Sequence, residues 1–213
     1  MRIECFTTIM SENIYLLSNE DSKKALIIDP GAKSRPLERR IEEEGSTIEA
    51  ILLTHGHGDH IGAAEDYRDF YGCEIWASEK EKVLLLDPEL NVSLSINGRA
   101  QSLTCDHYFK DGDKLTSFDL EVMETPGHTA GSVCFLGPGF LFTGDTLFQG
   151  SCGRWDLPTG GMHALFRSLA KLFALEEDYR ILPGHGPETS LEQEKATSPI
   201  AEYVEMQMNL DRK

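Results

Sequence analysis

The sequence predicts an α/β protein in one domain spanning residues 1–213, built from two sheets sandwiched between helices. Three observations lead there. Short apolar runs alternate with helix-like stretches along the chain. The strand-like runs fall in two groups, each with helices interspersed. No repeat, low-complexity segment or Gly/Ser-rich linker divides the 213 residues, and 40% hydrophobic with 26% charged residues is an ordinary globular mix that one core can bury.

In order, Ile3 to Thr7 and Asn13 to Leu17 read as a hairpin, and Ala25 to Ile28 as a strand ending at Asp29-Pro30-Gly31. Leu37 to Glu44 is a helix stopped by Gly45, Ala50 to Leu53 a short buried strand, and Ile61 to Tyr71 a helix stopped by Gly72. Glu74 to Ala77 is a strand and Glu79 to Leu86 a helix before Asp87-Pro88; residues 87–113 read as a long excursion over the surface. Lys114 to Glu124 alternates as two strand pieces, and Ser132 to Leu136 and Phe140 to Thr143 flank a Gly137-Pro138-Gly139 turn. Gly161 to Leu175 carries Met162, Leu165, Phe166, Leu169, Leu172 and Phe173 on one helical face. Arg180 to Leu182 is a last strand and Ile200 to Leu210 a terminal helix.

Composition narrows the function. Asp and Glu number 36 against 20 Lys and Arg, a net charge of −16, which disfavours nucleic acid and anionic membrane as partners because both demand positive charge. The apolar runs are far shorter than the ~20 residues of a membrane span, and Met1 to Cys5 lacks the apolar stretch of a signal peptide. Five cysteines, an odd number without C-x-x-C spacing, argue against a disulfide framework and a cysteine zinc site. A reducing cytoplasm is the expected location.

Three of the seven histidines fall in Thr54-His55-Gly56-His57-Gly58-Asp59-His60, directly after the strand Ala50 to Leu53. In extended backbone His55 and His57 point to one side. A helix starting near Asp59 puts His60 about one turn from His57, while Gly56 and Gly58 let the chain fold tightly around a small centre. Three more strand ends repeat the pattern: Pro126-Gly127-His128, Gly144-Asp145 and Gly184-His185. Together His55, His57, Asp59, His60, His128, Asp145 and His185 are seven candidate ligands. A tetrahedral ion takes three protein ligands and a water, so seven fit two ions with one carboxylate bridging. Two divalent ions outweigh two carboxylates and a hydroxide by one positive charge, which suits an anionic tetrahedral intermediate. Imidazole and carboxylate donors accept zinc, the first expectation, as well as iron or manganese. His107 and His163 lie outside this pattern and read as structural or surface residues.

THGHGDH at 54–60, TPGHTAGS at 125–132, FTGDTLF at 142–148 and LPGHGPET at 182–189 resemble, in order and spacing, the motifs of the metallo-β-lactamase superfamily. The resemblance implies a four-layer αββα sandwich with a dinuclear site at one edge. It implies His55, His57 and His128 on the first ion, Asp59, His60 and His185 on the second, and Asp145 bridging, with Asp59 orienting a metal-bound hydroxide that attacks the substrate. Asp87 to Ser93, Asp111-Gly112-Asp113 and Gly150 to Asp156 further resemble the glyoxalase II-like hydroxyacylglutathione hydrolases, in a short branch without the separate C-terminal glutathione-binding helical domain. That likeness implies hydrolysis of a small-molecule thioester such as S-lactoylglutathione, with Arg154 near its anionic end. Asp156 departs from the group, standing where an aromatic residue usually meets substrate.

Persulfide dioxygenases share the fold and a C-G-R-x-D segment, and use one iron on residues matching His55, His128 and Asp145, so they are the alternative reading. A nuclease is disfavoured by charge, and a secreted β-lactamase by Asp145 standing where a cysteine is usual. A catalytically silent metal-binding protein is the remaining alternative. The sequence does not specify the oligomeric state.

Overall fold

The computed structural model describes residues 1–211, and of residues 208, 210 and 211 the backbone alone; the last two positions of the expected 1–213 domain lie outside the described residues. The chain divides into two compact units, Met1–Phe109 and Lys110 onward.

The first unit carries a six-stranded sheet in sequence order: β1 (Arg2–Thr7), β2 (Asn13–Asn19), β3 (Lys24–Ile28), β4 (Thr47–Leu52), β5 (Glu74–Ser78) and β6 (His107–Phe109). β1 to β3 pair antiparallel through tight connections, and β3 to β6 pair parallel. Parallel neighbours need long crossovers, and helices supply them. These are α1 (Arg35–Glu44), α2 (Gly58–Ile61), α3 (Ala64–Tyr71), α4 (Lys82–Leu86) and α5 (Ser93–Asn97). Strands covered on both faces read as continuous apolar runs, and Leu26, Ile27, Ile28, Ile51, Leu52 and Leu53 are all buried. α1 starts where Ser34 accepts the Leu37 N–H at 3.4 Å and ends where Gly45 takes the left-handed conformation, so its boundaries follow local chemistry. Leu37 and Ile41 of α1 and Tyr67 of α3 pack with Ile51 and Ile75 in one core.

Two expectations are corrected in this unit. The single helix expected over 61–71 is broken between α2 and α3. There the Ala63 N–H donates to Pro30 O at 2.9 Å, so a tertiary hydrogen bond takes the donor that a continuous helix would have used. The stretch 87–113 is not a surface excursion, because Asn91, Ser93, Leu103 and Cys105 within it are buried. Its buried polar groups satisfy one another. Asn91 Nδ2 donates to Gln101 O at 2.8 Å, Asn91 Oδ1 accepts from Ser93 N at 3.0 Å, and Ser93 Oγ accepts from Gln101 N at 2.9 Å.

The second unit carries β7 (Lys114–Leu115), β8 (Leu120–Glu124), β9 (Val133–Gly137), β10 (Phe140–Gly144), the small hairpin β11 (Leu147–Phe148) and β12 (Ser151–Cys152), β13 (Arg180–Pro183) and β14 (Thr189–Ser190). Its sheet runs β14-β13-β10-β9-β8-β7, with β10 and β13 parallel and the other pairs antiparallel. The amphipathic helix expected at 161–175 is α6 (Met162–Phe173), and it buries Leu165, Leu169 and Leu172 against Leu141 and Ile181. The chain continues into α7 (Leu191–Thr197), capped by Ser190 Oγ accepting from Gln193 N at 3.2 Å, and α8 (Ala201–Asp211). The sequence reading missed α7. No helix among the described residues is long and apolar enough to cross a membrane.

Candidate metal centre

In the first unit the chemistry gathers where β3 and β4 end side by side. Asp29, just past β3, sits in the left-handed region at φ 51° and is buried. Its Oδ1 accepts the Thr54 N–H at 2.7 Å, and its Oδ2 accepts the Thr54 hydroxyl at 2.6 Å and lies 3.1 Å from His60 Nδ1. A carboxylate accepts, so His60 Nδ1 is the protonated nitrogen and Nε2 carries the lone pair. The Thr54 hydroxyl has one proton, and Asp29 takes it. Thr54 Oγ1 therefore accepts from His55 Nδ1 at 3.1 Å, and His55 too presents Nε2 as a donor to a metal. A protein acceptor on one imidazole nitrogen is the usual way to orient a metal-binding histidine.

His55 and His57 ring centroids lie 4.9 Å apart, and His55 and His60 4.1 Å apart. All three rings are buried, and Asp59 is half-buried. Asp29, His55 and His60 also offer ligand atoms within 4.8 Å of one another. Both Asp29 oxygens are engaged by Thr54 and His60, so Asp29 orients ligands here. Sequence reasoning noted its turn and missed this role.

Glu81, from the expected helix at 79–86, and residues of the corrected 87–113 stretch clamp the histidine loop. Buried Glu81 accepts the Gly56 N–H on Oε2 at 2.7 Å. Asn91 O accepts the Gly58 N–H at 2.9 Å, Asn97 Nδ2 donates to Gly58 O at 2.7 Å, and Gln101 Nε2 donates to Ile61 O at 3.2 Å. Gly56 and Gly58 serve close approach: a Cβ on Gly56 would stand 2.7 Å from Leu84 Cδ2, and one on Gly58 2.6 Å from Ser93 Cα.

In the second unit three candidate ligands leave the same edge of the sheet. His185 follows β13 and Asp145 follows β10, which run parallel, and His128 follows β8, which two antiparallel pairings bring back to the direction of β10. Asp145 Oδ2 lies 3.4 Å from His128 Nε2 and 3.7 Å from His185 Nε2, between the two rings. Thr125 and Thr146 hydroxyls meet at 3.0 Å and tie the His128 and Asp145 loops together, with Cys134 Sγ 3.3 Å from Thr125 Oγ1. His128 Nδ1 lies 2.7 Å from Arg154 O. The Arg154 side chain is exposed and grips Asp156 through Nε and Nη2 at 2.8 and 2.9 Å. Each holds the other charged: Asp156 raises the guanidinium pKa, and Arg154 lowers that of the carboxyl.

His107 lies in β6, with Nε2 3.1 Å from Glu74 Oε2 and its ring 4.7 Å from Trp76. His163 is exposed in the first turn of α6. Within the first unit, three buried imidazoles and the half-buried Asp59 carboxylate make a donor set that fits divalent metal.

Comparison with known proteins agrees with that chemistry. A family model described as the metallo-beta-lactamase superfamily matches residues 7–185. The hydroxyacylglutathione hydrolase GloC of Haemophilus influenzae is 39% identical over 208 residues, covering 94% of this chain and 98% of that protein. Among solved structures, the BLEG-1 B3 metallo-beta-lactamase is 36% identical with a TM-score of 0.87, covering 94% of this chain and 99% of that one. TTHA1623, in a di-iron-bound form, is 32% identical with a TM-score of 0.82, covering 94% and 100%. The fold class expected from the sequence is borne out, and the chain belongs to the metallo-β-lactamase superfamily of metallo-hydrolases.

Proposed function

We propose that this metallo-hydrolase cleaves a hydroxyacyl thioester such as S-lactoylglutathione. The observation that carries the substrate class is the 39% identity to a hydroxyacylglutathione hydrolase over 94% of this chain and 98% of that protein. In our reading His55, His57 and His128 hold one ion, Asp59, His60 and His185 hold a second, and Asp145 bridges them. Zinc is the first candidate, with iron or manganese as alternatives; a relative in a di-iron form keeps iron in view.

Divalent ions bound there would supply a water of lowered pKa and a Lewis acid for the carbonyl oxygen. The chain's own part is orientation. Asp29, Thr54 and the Arg154 carbonyl fix three imidazoles, and Asp59 orients the attacking water as its proton acceptor. The leaving thiol has an ordinary pKa of about 8–9, so its departure needs no strong general acid. Arg154 meets the anionic end of the substrate. Because Asp156 already holds the guanidinium, that contact is shared and weak, so KM is high and tolerance of other thiol carriers broad. The protein is read as cytoplasmic, with no nucleic acid or membrane partner.

The test compares one metal-analysed preparation in three assays: thiol release from S-lactoylglutathione, oxygen uptake on glutathione persulfide, and β-lactam hydrolysis. Thiol release dominates in our reading. Strong oxygen uptake with iron and negligible thiol release would overturn it in favour of a dioxygenase. β-Lactam turnover alone would place the chain functionally beside BLEG-1.

A further inference from the structure

We propose that the loop Gly153–Asp156 is the positioning element for His128, acting through the Arg154 main-chain oxygen, and that the Arg154–Asp156 pair locks that loop in place. The inference goes beyond thioester hydrolysis and rests only on the metal-ligand half of that reading.

The argument starts from the carbonyl. Arg154 O lies 2.7 Å from His128 Nδ1, and a carbonyl can only accept, so Nδ1 carries the proton. His128 is then held in the tautomer whose Nε2 lone pair faces Asp145 Oδ2, 3.4 Å away. One hydrogen bond thus sets both the ring orientation and the nitrogen offered to a metal.

The carbonyl reaches that position only because residue 153 has no side chain. A Cβ on Gly153 would stand 1.9 Å from Asp145 O and 3.0 Å from His128 Nδ1. The covalent path explains the closeness. From Asp145 the chain runs out along β11, turns, and returns along β12, with Leu147 opposite Cys152. The hairpin delivers Gly153 back onto Asp145, so one short element joins the proposed bridging carboxylate to the group that orients His128. Residues beyond the loop also pack on His128: a Cβ on Gly160 would lie 2.5 Å from Trp155 O and 3.0 Å from His128 O.

The side chains then close the loop. Arg154 Nε and Nη2 meet the two Asp156 oxygens at 2.8 and 2.9 Å. A fork-to-fork pair two residues apart restrains the backbone between its ends. Arg154 thereby acts through two separable parts, its main-chain oxygen on His128 and its guanidinium on Asp156.

The experiment uses full-length protein with zinc as the probe. Nitrogen NMR of histidine-labelled protein should find neutral His128 protonated on Nδ1. Chelator competition should show Gly153→Ala weakening zinc binding by about tenfold or more. Arg154→Ala and Asp156→Ala should each weaken it by about threefold, and the double variant by no more than either single change, since both break one lock. KM for the thioester is measured on the same variants. An Nε2-protonated His128, or Gly153→Ala zinc affinity within twofold of wild type, would overturn the positioning role. Arg154→Ala and Asp156→Ala changing KM with zinc affinity untouched would overturn the lock. If Gly153→Ala does not fold, the tautomer and the Asp156→Ala affinity decide. Wild-type protein that binds none of zinc, iron and manganese would sink the proposed function, and the His128 tautomer would still decide the hydrogen bond.

Discussion

Replacing Asp29 by Asn isolates what the buried carboxylate contributes. Asn tolerates the left-handed φ of 51° at this position, so backbone strain stays out of the comparison. Asp29 uses one oxygen for the Thr54 N–H at 2.7 Å and the other for the Thr54 hydroxyl and His60 Nδ1 at 2.6 and 3.1 Å. Asn has one oxygen and one NH2 group. If its oxygen serves Thr54 Oγ1 and His60, the NH2 confronts the Thr54 N–H. If its oxygen serves the Thr54 N–H, the NH2 confronts the histidine. Either way a buried donor loses its acceptor, at about 1–3 kcal/mol, and loss of a charge-assisted bond brings the total to about 2–4 kcal/mol. For a chain of this size that is a melting temperature about 5–15 °C lower in metal-free protein. Zinc affinity measured by chelator competition should fall about 10–100-fold, the usual penalty for removing an outer acceptor of a ligand histidine. An Asp29→Asn protein with unchanged melting temperature and zinc affinity within twofold of wild type would refute the orienting role.

Three further outcomes are expected. Glu81→Ala strips the Gly56 N–H of its buried acceptor and should lower zinc affinity about tenfold; Glu81→Gln keeps an acceptor and should lose less, as the same titration will tell. Asp145→Ala should lose both ions together, whereas His185→Ala should mainly weaken one, and elemental analysis after dialysis distinguishes them. Burial pushes the thiols of Cys73 and Cys134 up to about 11 and that of Cys105 to about 12. Their raised folded-state pKa contributes stability that is complete below about pH 8.5, the unfolded thiol value. That contribution is lost as pH rises toward 11–12, so urea midpoints should fall over that window; below it, mass spectrometry after brief alkylation should find exposed Cys5 modified well before those three.

Where local chemistry decided the outcome, the sequence could be read. Gly45 and Gly72 marked helix ends because both positions need positive φ, and α6 showed its buried stripe as a clean period. The four Gly-rich strand ends were visible because each joins an apolar run to a turn and a ligand-type residue. What stayed hidden was buried polarity. Asn91, Ser93 and Gln101 are polar and non-periodic, and so suggested a surface stretch, while Glu81 fell in an expected helix; all four are buried around the histidine loop. Their burial is tolerated only because tertiary partners satisfy them, and those partners lie up to 40 residues away, as with Gln101 and Ile61. The break after Ile61 has the same cause: the Pro30 carbonyl competes for one N–H, and propensity carries no trace of it. Asp29 was noted as part of a turn; its role depends on Thr54 and His60, which the fold brings to it.

The three orienting acceptors differ in a way that bears on chemistry. His60 donates to a carboxylate, His55 to a hydroxyl that is itself hydrogen-bonded to that carboxylate, and His128 to a neutral carbonyl. An anionic acceptor raises the basicity of the imidazole it holds more than a neutral one does. His60 thus meets the Asp29 charge directly, and His55 meets it through Thr54. Both connections run through one residue, so Asp29 couples two histidines that the resemblance assigns to different ions. His128 is held by shape, through Gly153 and the short hairpin returning to Asp145. On the proposed ligand assignment, charge-based tuning belongs to the loop after β4 and geometric tuning to the loop after β12. Substitutions in the first should change metal affinity through donor strength, and substitutions in the second through the aim of a single ring.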